Sequence, residues 1–194
     1  MESKYRTHMI GQLTSKNVGS SIRLAGWVAS RRDHGGLIFI DLRDKTGIVQ
    51  LTFNPKLHAD TWKIAETLRD EYVISVSGTV KMRPADMANE KIGELGKIEI
   101  EVETITIESI AAALPFAIGD ETVSEDIRLQ YRFLELRTDR MQNMLTRRDS
   151  FIGRVRDFMH AHDFTEVQTP ILANSSPEGA RDFLVPSRLH PGTF

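Results

Sequence analysis

Hydrophobic and polar residues alternate along the first half of the chain in short segments separated by turns. Residues 22–29 place an apolar or small side chain at every second position, which is the period of a strand with one buried face. Residues 37–42 and 48–53 repeat this pattern. The turns between them fall at 34–36 and 44–47, where glycine tolerates the positive φ of a tight reversal. This pattern predicts three strands joined by two short turns.

Two more strands and a helix follow. Pro55 ends the third strand because proline has no N–H to donate to a ladder. Residues 58–72 have the period of a helix, 72–82 and 97–108 alternate as strands, and a polar loop lies between these strands at 83–96. Five strands with a helix between the third and fourth are typical of an oligonucleotide-binding (OB) fold, a β barrel that binds its ligand across the second and third strands.

Two segments are expected to cover the barrel. The predicted helix carries apolar residues on neighbouring turns, which we expect to plug one end: Trp62, Ala65 and Leu68. Residues 1–20 form a polar lead-in, in which Ile10 and Leu13 can anchor a short helix or turn.

The second half of the chain has the 3.6-residue period of helices. Residues 124–137 are predicted to be helical, and 139–163 form a long amphipathic helix with a capping box of Asp139 and Gln142 at its start. Residues 164–172 are predicted to form a strand, and a further strand is predicted to begin at 183–186.

These elements predict three parts. Residues 1–109 form the OB-fold barrel, and 110–137 form a hinge that contains Pro115. Residues 138–194 begin an α+β domain whose long helix has an unpartnered apolar face. Since about 70 residues, the length of 124–194, bury too little surface to enclose such a helix, we expect the sequence to be a fragment of a longer protein.

Composition excludes several classes of protein. The chain has no cysteine, which rules out disulfides and thiolate metal sites, and no zinc spacing or phosphate-binding loop motif occurs. No apolar run approaches the roughly 20 residues of a membrane span. The N-terminus lacks the apolar core of a signal peptide, which predicts a cytoplasmic location.

Charge is unevenly distributed along the chain. Residues 1–83 are net basic, 84–126 are strongly acidic and 127–194 are slightly basic. A basic strand region suits a polyanionic ligand. The alternative is an ordinary mixed surface.

The second predicted strand places one aromatic residue opposite its apolar positions. Phe39 lies between Ile38 and Ile40, which point to the other face. Proteins that recognise single-stranded loops stack a base on such an aromatic, which is worth roughly 1–3 kcal/mol per base. The alternative is that Phe39 belongs to the barrel core.

Four segments carry a resemblance to a known family: RRDHGGLIFIDLRDKTGIVQ (31–50), LQYRFLELR (129–137), FTEVQTPIL (164–172) and SPEGARDFLVPSR (176–188). Through them nearly the whole chain resembles the N-terminal third of bacterial-type aspartyl-tRNA synthetases, which are class IIb enzymes. The fourth segment is the most specific, since the related asparagine and lysine enzymes do not usually carry it. One departure is Asp163, where the family usually has glycine; aspartate also adopts the left-handed conformation of a helix C-cap.

The resemblance implies roles for residues of the barrel. Phe39 would stack on the central anticodon base, Arg32 would contact the anticodon, and Gln50 and Glu99 would read base edges. The alternative for Gln50 and Glu99 is a solvated strand face. Arg31 would be a phosphate contact or a plain surface residue.

Two positions bear on which tRNA is charged. The residue after Arg-Arg-Asp is often histidine in family members that charge both the aspartate and the asparagine tRNA, and His34 occupies that position. The hypothesis is a nondiscriminating enzyme, with a weaker contribution from Asp86. The alternative is that His34 is only a turn residue.

The resemblance also extends to the C-terminal part. Glu178 is similar to the flexible-loop glutamate that meets the ammonium group of substrate L-aspartate, although it could also be an exposed loop residue. Phe164 and Pro170 match class II motif 1, which forms the homodimer interface in the family.

The family forms aspartyl-adenylate from aspartate and ATP with magnesium, then transfers the amino acid to tRNA. The motifs that do this are absent from the chain, so we expect no catalytic residue, metal or cofactor site in it. The alternatives are a non-enzymatic OB-fold module that binds nucleic acid, a dimerisation protein, or part of an asparaginyl-tRNA synthetase.

Overall fold

The computed structural model describes residues 3–172 and 183–192. Contacts divide the chain into two units, Met1–Pro115 and Phe116–Phe194. Each unit is described by itself.

Unit 1 is a closed five-stranded barrel, which confirms the predicted OB fold. Its strands are β1 (Ser21–His34), β2 (Leu37–Asp44), β3 (Gly47–Phe53), β4 (Val73–Met82) and β5 (Ile98–Ser109). They follow the order β1-β2-β3-β5-β4 around the barrel, and β4 closes it by pairing with β1. The β3–β5 pair is parallel and the other pairs are antiparallel.

The barrel interior holds the apolar residues of the alternating segments. In β2, Ile38, Ile40 and Leu42 are fully buried, whereas the side chains between them point outward. Two-sided strands of this kind leave the outer face free to carry polar and aromatic groups.

Both predicted segments pack against the barrel core. Helix α1 (Ala59–Thr67) buries Ala65, and Leu68 follows it into the core. A 3-10 turn at Ile10–Gln12 buries Ile10, whose N–H donates to Asp44 Oδ2 across 2.9 Å. Helix α1 is shorter than the predicted 58–72, because Leu68 takes an extended conformation to reach the core.

The two predicted turns are confirmed. Gly35 and Gly36 have φ of 59° and 84°, a conformation that glycine adopts without a steric penalty. At the second turn, Asp44 Oδ1 accepts hydrogen bonds from the N–H groups of Thr46 and Gly47, over 2.6 and 3.1 Å. Both hairpins therefore hold β1, β2 and β3 in fixed register.

One irregularity in β1 was not predicted. The register with β2 shifts between Val28 and Ser30, which marks a β-bulge. Before the bulge, even-numbered residues such as Val28 face the core; after it, Ser30 and Arg32 pair with Asp41 and Phe39, which point outward. A bulge re-aims side chains in this way because it inserts one unpaired residue.

The predicted loop at 83–96 contains 3-10 turns at Ala85–Met87 and within Glu90–Lys97, the latter interrupted by a kink at Ile92 and Gly93. These segments follow β4 and lead into β5. Arg83, Pro84 and Met87 of this loop line the groove described below.

Unit 2 contains α2 (Glu125–Gln130), α3 (Arg132–Glu135) and α4 (Asp139–Ala161). The predicted capping box at Asp139 is wrong by one residue: Thr138 is the N-cap, and its hydroxyl accepts from the N–H of Met141. At the other end, Asp163 has φ of 65°, which confirms the expected left-handed conformation.

Residues 164–172 and 183–186 form no strand, which corrects both predictions. A strand needs a neighbour to pair its N–H and C=O groups. The part of unit 2 that the structure describes offers no second strand. The apolar face of α4 is open to solvent at five positions at least two-fifths exposed: Met144, Leu145, Phe151, Val155 and Phe158.

Within residues 3–172 and 183–192, no helix has both the length and the apolar character that crossing a bilayer requires.

Candidate nucleic-acid interface

A groove runs across the outer face of the barrel over β1, β2, β3 and β5. It has a volume of about 630 Å³. Its walls combine aromatic, aliphatic and charged side chains: Arg32, Asp33, His34, Leu37, Phe39, Gln50, Thr52, Arg83, Pro84, Met87 and Glu99. A second hollow of about 350 Å³ shares Arg32, Gln50 and Arg83 with it and adds Asp41.

Strand register explains why these side chains meet. Paired residues on neighbouring strands point to the same face of a sheet. One row across the barrel is Ser30, Asp41, Gln50 and Glu99. The next row is Arg32, Phe39, Thr52 and Glu101. The two rows together place four of the predicted anticodon-binding residues on adjacent rungs.

Phe39 is outside the barrel core, contrary to the core alternative. It is half-buried, whereas its neighbours Ile38 and Ile40 are 1% and 0% exposed. The side chains of Pro84 and Met87 line the same groove as Phe39 and add apolar surface to it. A flat ring in an open groove with apolar walls can accept a planar group against its face.

Arg32 is held by a bidentate ion pair. Its Nη1 and Nη2 donate to Oδ2 and Oδ1 of Asp41 over 2.6 and 2.8 Å. Asp41 Oδ2 also accepts from the hydroxyl of Ser30 across 2.8 Å. The hydrogen bonds with Asp41 raise the pKa of the Arg32 guanidinium above its ordinary value, against an opposing effect of burial. The side chain is still 51% exposed, so its charge faces the groove.

Gln50 and Glu99 continue this chain of contacts. Gln50 Oε1 lies 3.4 Å from Arg32 Nη2, and its Nε2 donates to Glu99 Oε2 over 2.9 Å. The Thr52 hydroxyl donates to the same Glu99 oxygen, also over 2.9 Å. Gln50 is only 8% exposed, so the solvated-face alternative does not describe it. The arrangement presents donors and acceptors in a set order beside Phe39.

The two predicted discrimination residues lie in different places. His34 ends β1, is exposed and lines the groove. Asp86 is exposed and lies between Pro84 and Met87, which line the groove. Arg31 does not face this groove; its guanidinium pairs with Asp33 over 2.8 Å.

Sequence reasoning missed several residues that line the groove or the adjoining hollow, or that contact Arg32 and Asp41. Asp41 and Thr52 could have been found, because each lies two residues from a predicted contact on the same strand face. Ser30 and Arg83 could not, since one depends on the bulge and the other on the path of the chain after β4.

The remaining predicted site residues belong to unit 2. Phe164 is 60% exposed, and Pro170 is exposed in the same irregular segment. Glu178 lies outside the described residues. Across residues 3–172 and 183–192, no group of three or more His, Cys, Asp or Glu side chains could hold a metal ion.

Both halves of the chain match profiles of known families. Residues 22–108 match the OB-fold nucleic acid binding domain. Residues 124–194 match the class II tRNA synthetases of the D, K and N group. These matches cover the barrel and the helical unit respectively.

Individual relatives agree with these profiles. The chain is 51% identical to the aspartate–tRNA(Asp/Asn) ligase of Dictyoglomus turgidum, over 97% of this chain and 32% of the relative. It therefore spans about a third of the length of the curated relatives it matches.

Solved structures have the same fold. The asparaginyl-tRNA synthetase of Pyrococcus horikoshii, 29% identical, superposes with a TM-score of 0.73 over 87% of this chain and 37% of that one. The aspartyl tRNA synthetase of Entamoeba histolytica has a TM-score of 0.77 over 91% of this chain and 42% of that one. At 22% identity, the second likeness supports the fold alone.

Proposed function

Because the chain belongs to the class II aminoacyl-tRNA synthetases of the D, K and N group, we propose that its barrel binds the anticodon loop of tRNA within an aspartate–tRNA ligase. One observation carries the proposal. Phe39, Arg32, Gln50 and Glu99 line a single groove on the face where OB folds bind oligonucleotides.

The aromatic ring of Phe39 is the stacking platform in this proposal. Single-stranded loops are bound by splaying bases out against aromatic side chains. The ring is accessible in an open groove, and its cross-strand neighbours Arg32 and Thr52 leave polar groups on either side. The central anticodon base would lie on this ring.

The polar chain beside the ring would read base edges. Gln50 can donate and accept, Glu99 accepts, and Arg32 donates. A base edge offers the complementary pattern of donors and acceptors, so a set order of protein groups selects among bases. Arg32 also supplies positive charge toward the phosphates of the loop.

His34 and Asp86 would set the range of tRNAs that is accepted. His34 lies in the groove at the end of β1, close in sequence to Arg32. Relatives about 50% identical to this chain are named aspartate–tRNA(Asp/Asn) ligases. We therefore propose a nondiscriminating enzyme that charges both the aspartate and the asparagine tRNA.

The longer enzyme would form aspartyl-adenylate from L-aspartate and ATP and transfer aspartate to tRNA. In it, residues 1–109 would be the anticodon-binding domain, 110–137 the hinge and 138–194 the start of the catalytic domain. Glu178 would meet the ammonium group of aspartate. The residues that the structure describes contain no acidic cluster that fits magnesium. The family assignment also supports a cytoplasmic location.

The exposed face of α4 would pack against a second copy of the chain. Phe151 and Phe158 are 68% and 61% exposed on this helix, and Phe164 is 60% exposed just after it. Exposed apolar patches of this extent mark interfaces. Sedimentation of the 194-residue chain should show a concentration-dependent dimer, and Phe158→Glu should shift it to monomer. A wild-type chain that stays monomeric at high concentration would contradict the dimer.

The test of anticodon binding uses stem-loops carrying GUC, GUU and an unrelated triplet. We expect binding to GUC and GUU, and a roughly tenfold or larger loss with Phe39→Ala, the scale of one lost base stack. Leu57→Ala is the control, since it removes a 55% exposed apolar side chain that does not line the groove. Preference for GUC alone would contradict the nondiscriminating assignment. Equal binding of all three triplets would contradict anticodon reading and favour a general nucleic-acid module.

An asparaginyl-tRNA synthetase is less consistent with the comparisons. The identity to the aspartate–tRNA(Asp/Asn) ligase of Dictyoglomus turgidum is 51%, against 29% to the asparaginyl-tRNA synthetase of Pyrococcus horikoshii. Preference for GUU over GUC in the same binding test would reverse this conclusion.

A further inference from the structure

Asp41 occupies an unexpected place for an acidic residue. It lies in the same cross-strand row as Gln50 and lines the hollow that adjoins the groove. Its charge therefore faces the surface proposed to meet RNA, where it would repel phosphates. A purely electrostatic view of RNA binding gives no reason for a carboxylate at this position.

The contacts of Asp41 supply a reason. Two parallel hydrogen bonds lock the Arg32 guanidinium against its carboxylate, over 2.6 and 2.8 Å. The hydroxyl of Ser30 donates to Asp41 Oδ2 over 2.8 Å and accepts from Arg32 Nη1 over 3.2 Å. Bidentate pairs of this kind restrict the guanidinium to one plane and one position, unlike single-contact surface pairs. Arg32 is thus prevented from swinging freely along the groove.

The position of Arg32 in turn affects Gln50. The Gln50 carbonyl oxygen faces the Arg32 guanidinium at 3.4 Å, and its NH₂ group faces the Glu99 carboxylate at 2.9 Å. Turning this amide over would place NH₂ beside a cation and oxygen beside an anion. The cation on one side and the anion on the other therefore determine which end of the amide donates and which accepts.

We propose that Asp41 is a positioning residue for anticodon reading: it clamps Arg32 beside Gln50 and so sets the direction of the Gln50 amide. This inference rests on the proposed function. Asp41 does not need to touch RNA itself. Asp41 holds Arg32 in place, and Arg32 in turn determines which end of the Gln50 amide faces a base edge as donor and which as acceptor.

The proposal predicts a change in RNA affinity opposite in direction to the one that simple electrostatics predicts. Asp41→Asn removes a negative charge, so electrostatics alone predicts tighter RNA binding. If Asp41 positions Arg32, the same variant binds the GUC stem-loop more weakly, by roughly tenfold, which is the scale of one lost charge-assisted hydrogen bond. The variant also shows a smaller difference in affinity between the GUC stem-loop and a stem-loop with an unrelated triplet.

Glu101→Gln is the matched control. Glu101 is on the same barrel, its side chain is 33% exposed against 26% for Asp41, and it also pairs with a cation, Lys81 at 3.6 Å. It does not line the groove or the adjoining hollow. Both variants remove one negative charge, which by electrostatics alone should leave RNA binding unchanged or tighter. Weaker binding by Asp41→Asn alone therefore indicates positioning. Thermal melting of each variant checks that the barrel stays folded.

A double-mutant cycle with Arg32 completes the test. In an Arg32→Ala background, Asp41→Asn should cause no further loss of affinity, because the group that Asp41 positions is gone. Weaker GUC binding by Asp41→Asn alone, absent from Glu101→Gln and from the double variant, supports the proposal. Unchanged or tighter binding by Asp41→Asn, with wild-type triplet preference intact, overturns the positioning role and leaves anticodon reading standing. A wild-type chain without any triplet preference overturns both.

Discussion

Gln50 and Glu99 are register partners on the parallel strands β3 and β5, and Gln50 Nε2 donates to Glu99 Oε2 over 2.9 Å. The hydroxyl of Thr52 reaches the same oxygen over the same distance. Glu99 is therefore the acceptor that joins two neighbouring rungs of the groove. The negative charge of the Glu99 carboxylate orients the Gln50 amide and the Thr52 hydroxyl, which both donate to it.

Glu99→Gln should impair anticodon reading with little effect on the fold. The neutral amide is a weaker acceptor and adds donors opposite Gln50, so we expect roughly tenfold weaker binding to the GUC stem-loop. Glu103→Gln is the control: Glu103 is on the same strand and accepts from the Thr79 hydroxyl over 2.7 Å, outside the groove. Equal effects of the two variants in a binding titration would contradict a specific role for Glu99.

Gly78→Ala should destabilise the barrel. An added Cβ at Gly78 would lie 2.2 Å from the carbonyl oxygen of Glu101, on the neighbouring strand β5. The atoms that it would meet are backbone atoms of Glu101 and Val102, which cannot turn away as a side chain could. We expect a loss of about 2–3 kcal/mol in the free energy of unfolding, as for overpacked sites.

Gly153→Ala is the contrasting change. Gly153 lies within α4, and an added Cβ would have nothing within 4 Å. Alanine is favoured over glycine in a helix by about 1 kcal/mol, so this variant should increase helical stability. Urea denaturation followed by circular dichroism measures both variants. Loss of stability in Gly153→Ala would show that α4 has a packing partner at this position.

The ion pair of Arg43 and Glu71 should matter more than an ordinary surface pair. Arg43 Nη2 donates to both carboxylate oxygens of Glu71, over 2.7 and 3.0 Å, and the Glu71 side chain is only 7% exposed. Arg43→Met leaves this carboxylate without its guanidinium, which should cost about 2 kcal/mol, below the range for fully buried pairs because Arg43 is partly solvated.

A double-mutant cycle checks that prediction. Glu71→Gln removes the buried charge, so Arg43→Met should cost less in that background than in the wild type. Additive losses in the free energy of unfolding would show that the two side chains act independently.

Asp120 should titrate below the ordinary range of an aspartate. The hydroxyl and then the N–H of Thr122 donate to its carboxylate, over 2.7 and 2.9 Å, and lower its pKa. Because the folded pKa lies below the unfolded value, this turn is stabilised above the unfolded pKa, and that stability is lost as pH falls through the folded pKa. Thr122→Val should raise the pKa part of the way back, since the N–H remains. Carbon NMR of the carboxyl group against pH measures it, and an unchanged midpoint in the variant would contradict the hydroxyl contribution.

Alternation alone predicted most of the barrel. The period of two is a local property, and a buried face requires apolar residues at every second position whatever the partner strand is. This is why Ile38 and Ile40 were placed on the face opposite Phe39, and why Gly35 and Gly36 marked the hairpin. Alternation did not decide which of the two faces was the core, and the structure places Phe39 outside it. The resemblance added the roles of Arg32, Gln50 and Glu99, which spacing could not supply.

The helical unit was predicted less completely. The long helix predicted at 139–163 was confirmed over 139–161, because its apolar period is also local. The strand at 164–172 was wrong, since a strand forms only where another strand satisfies its backbone groups. Its residue pattern contains no information about the availability of that partner.

The side-chain network of the groove depended on the tertiary structure. The sequence by itself determined five strands, two tight turns, the helix after the third strand and the placement of Phe39 on the face opposite Ile38 and Ile40. Continuing the alternation of β1 from Val28 would have turned Arg32 toward the core; the bulge before Ser30 reversed the phase and placed Arg32 beside Asp41. A bulge depends on how two strands pair as the barrel closes, so the sequence of one strand does not predict it. The order of contacts from Asp41 through Gln50 to Glu99 follows from that choice.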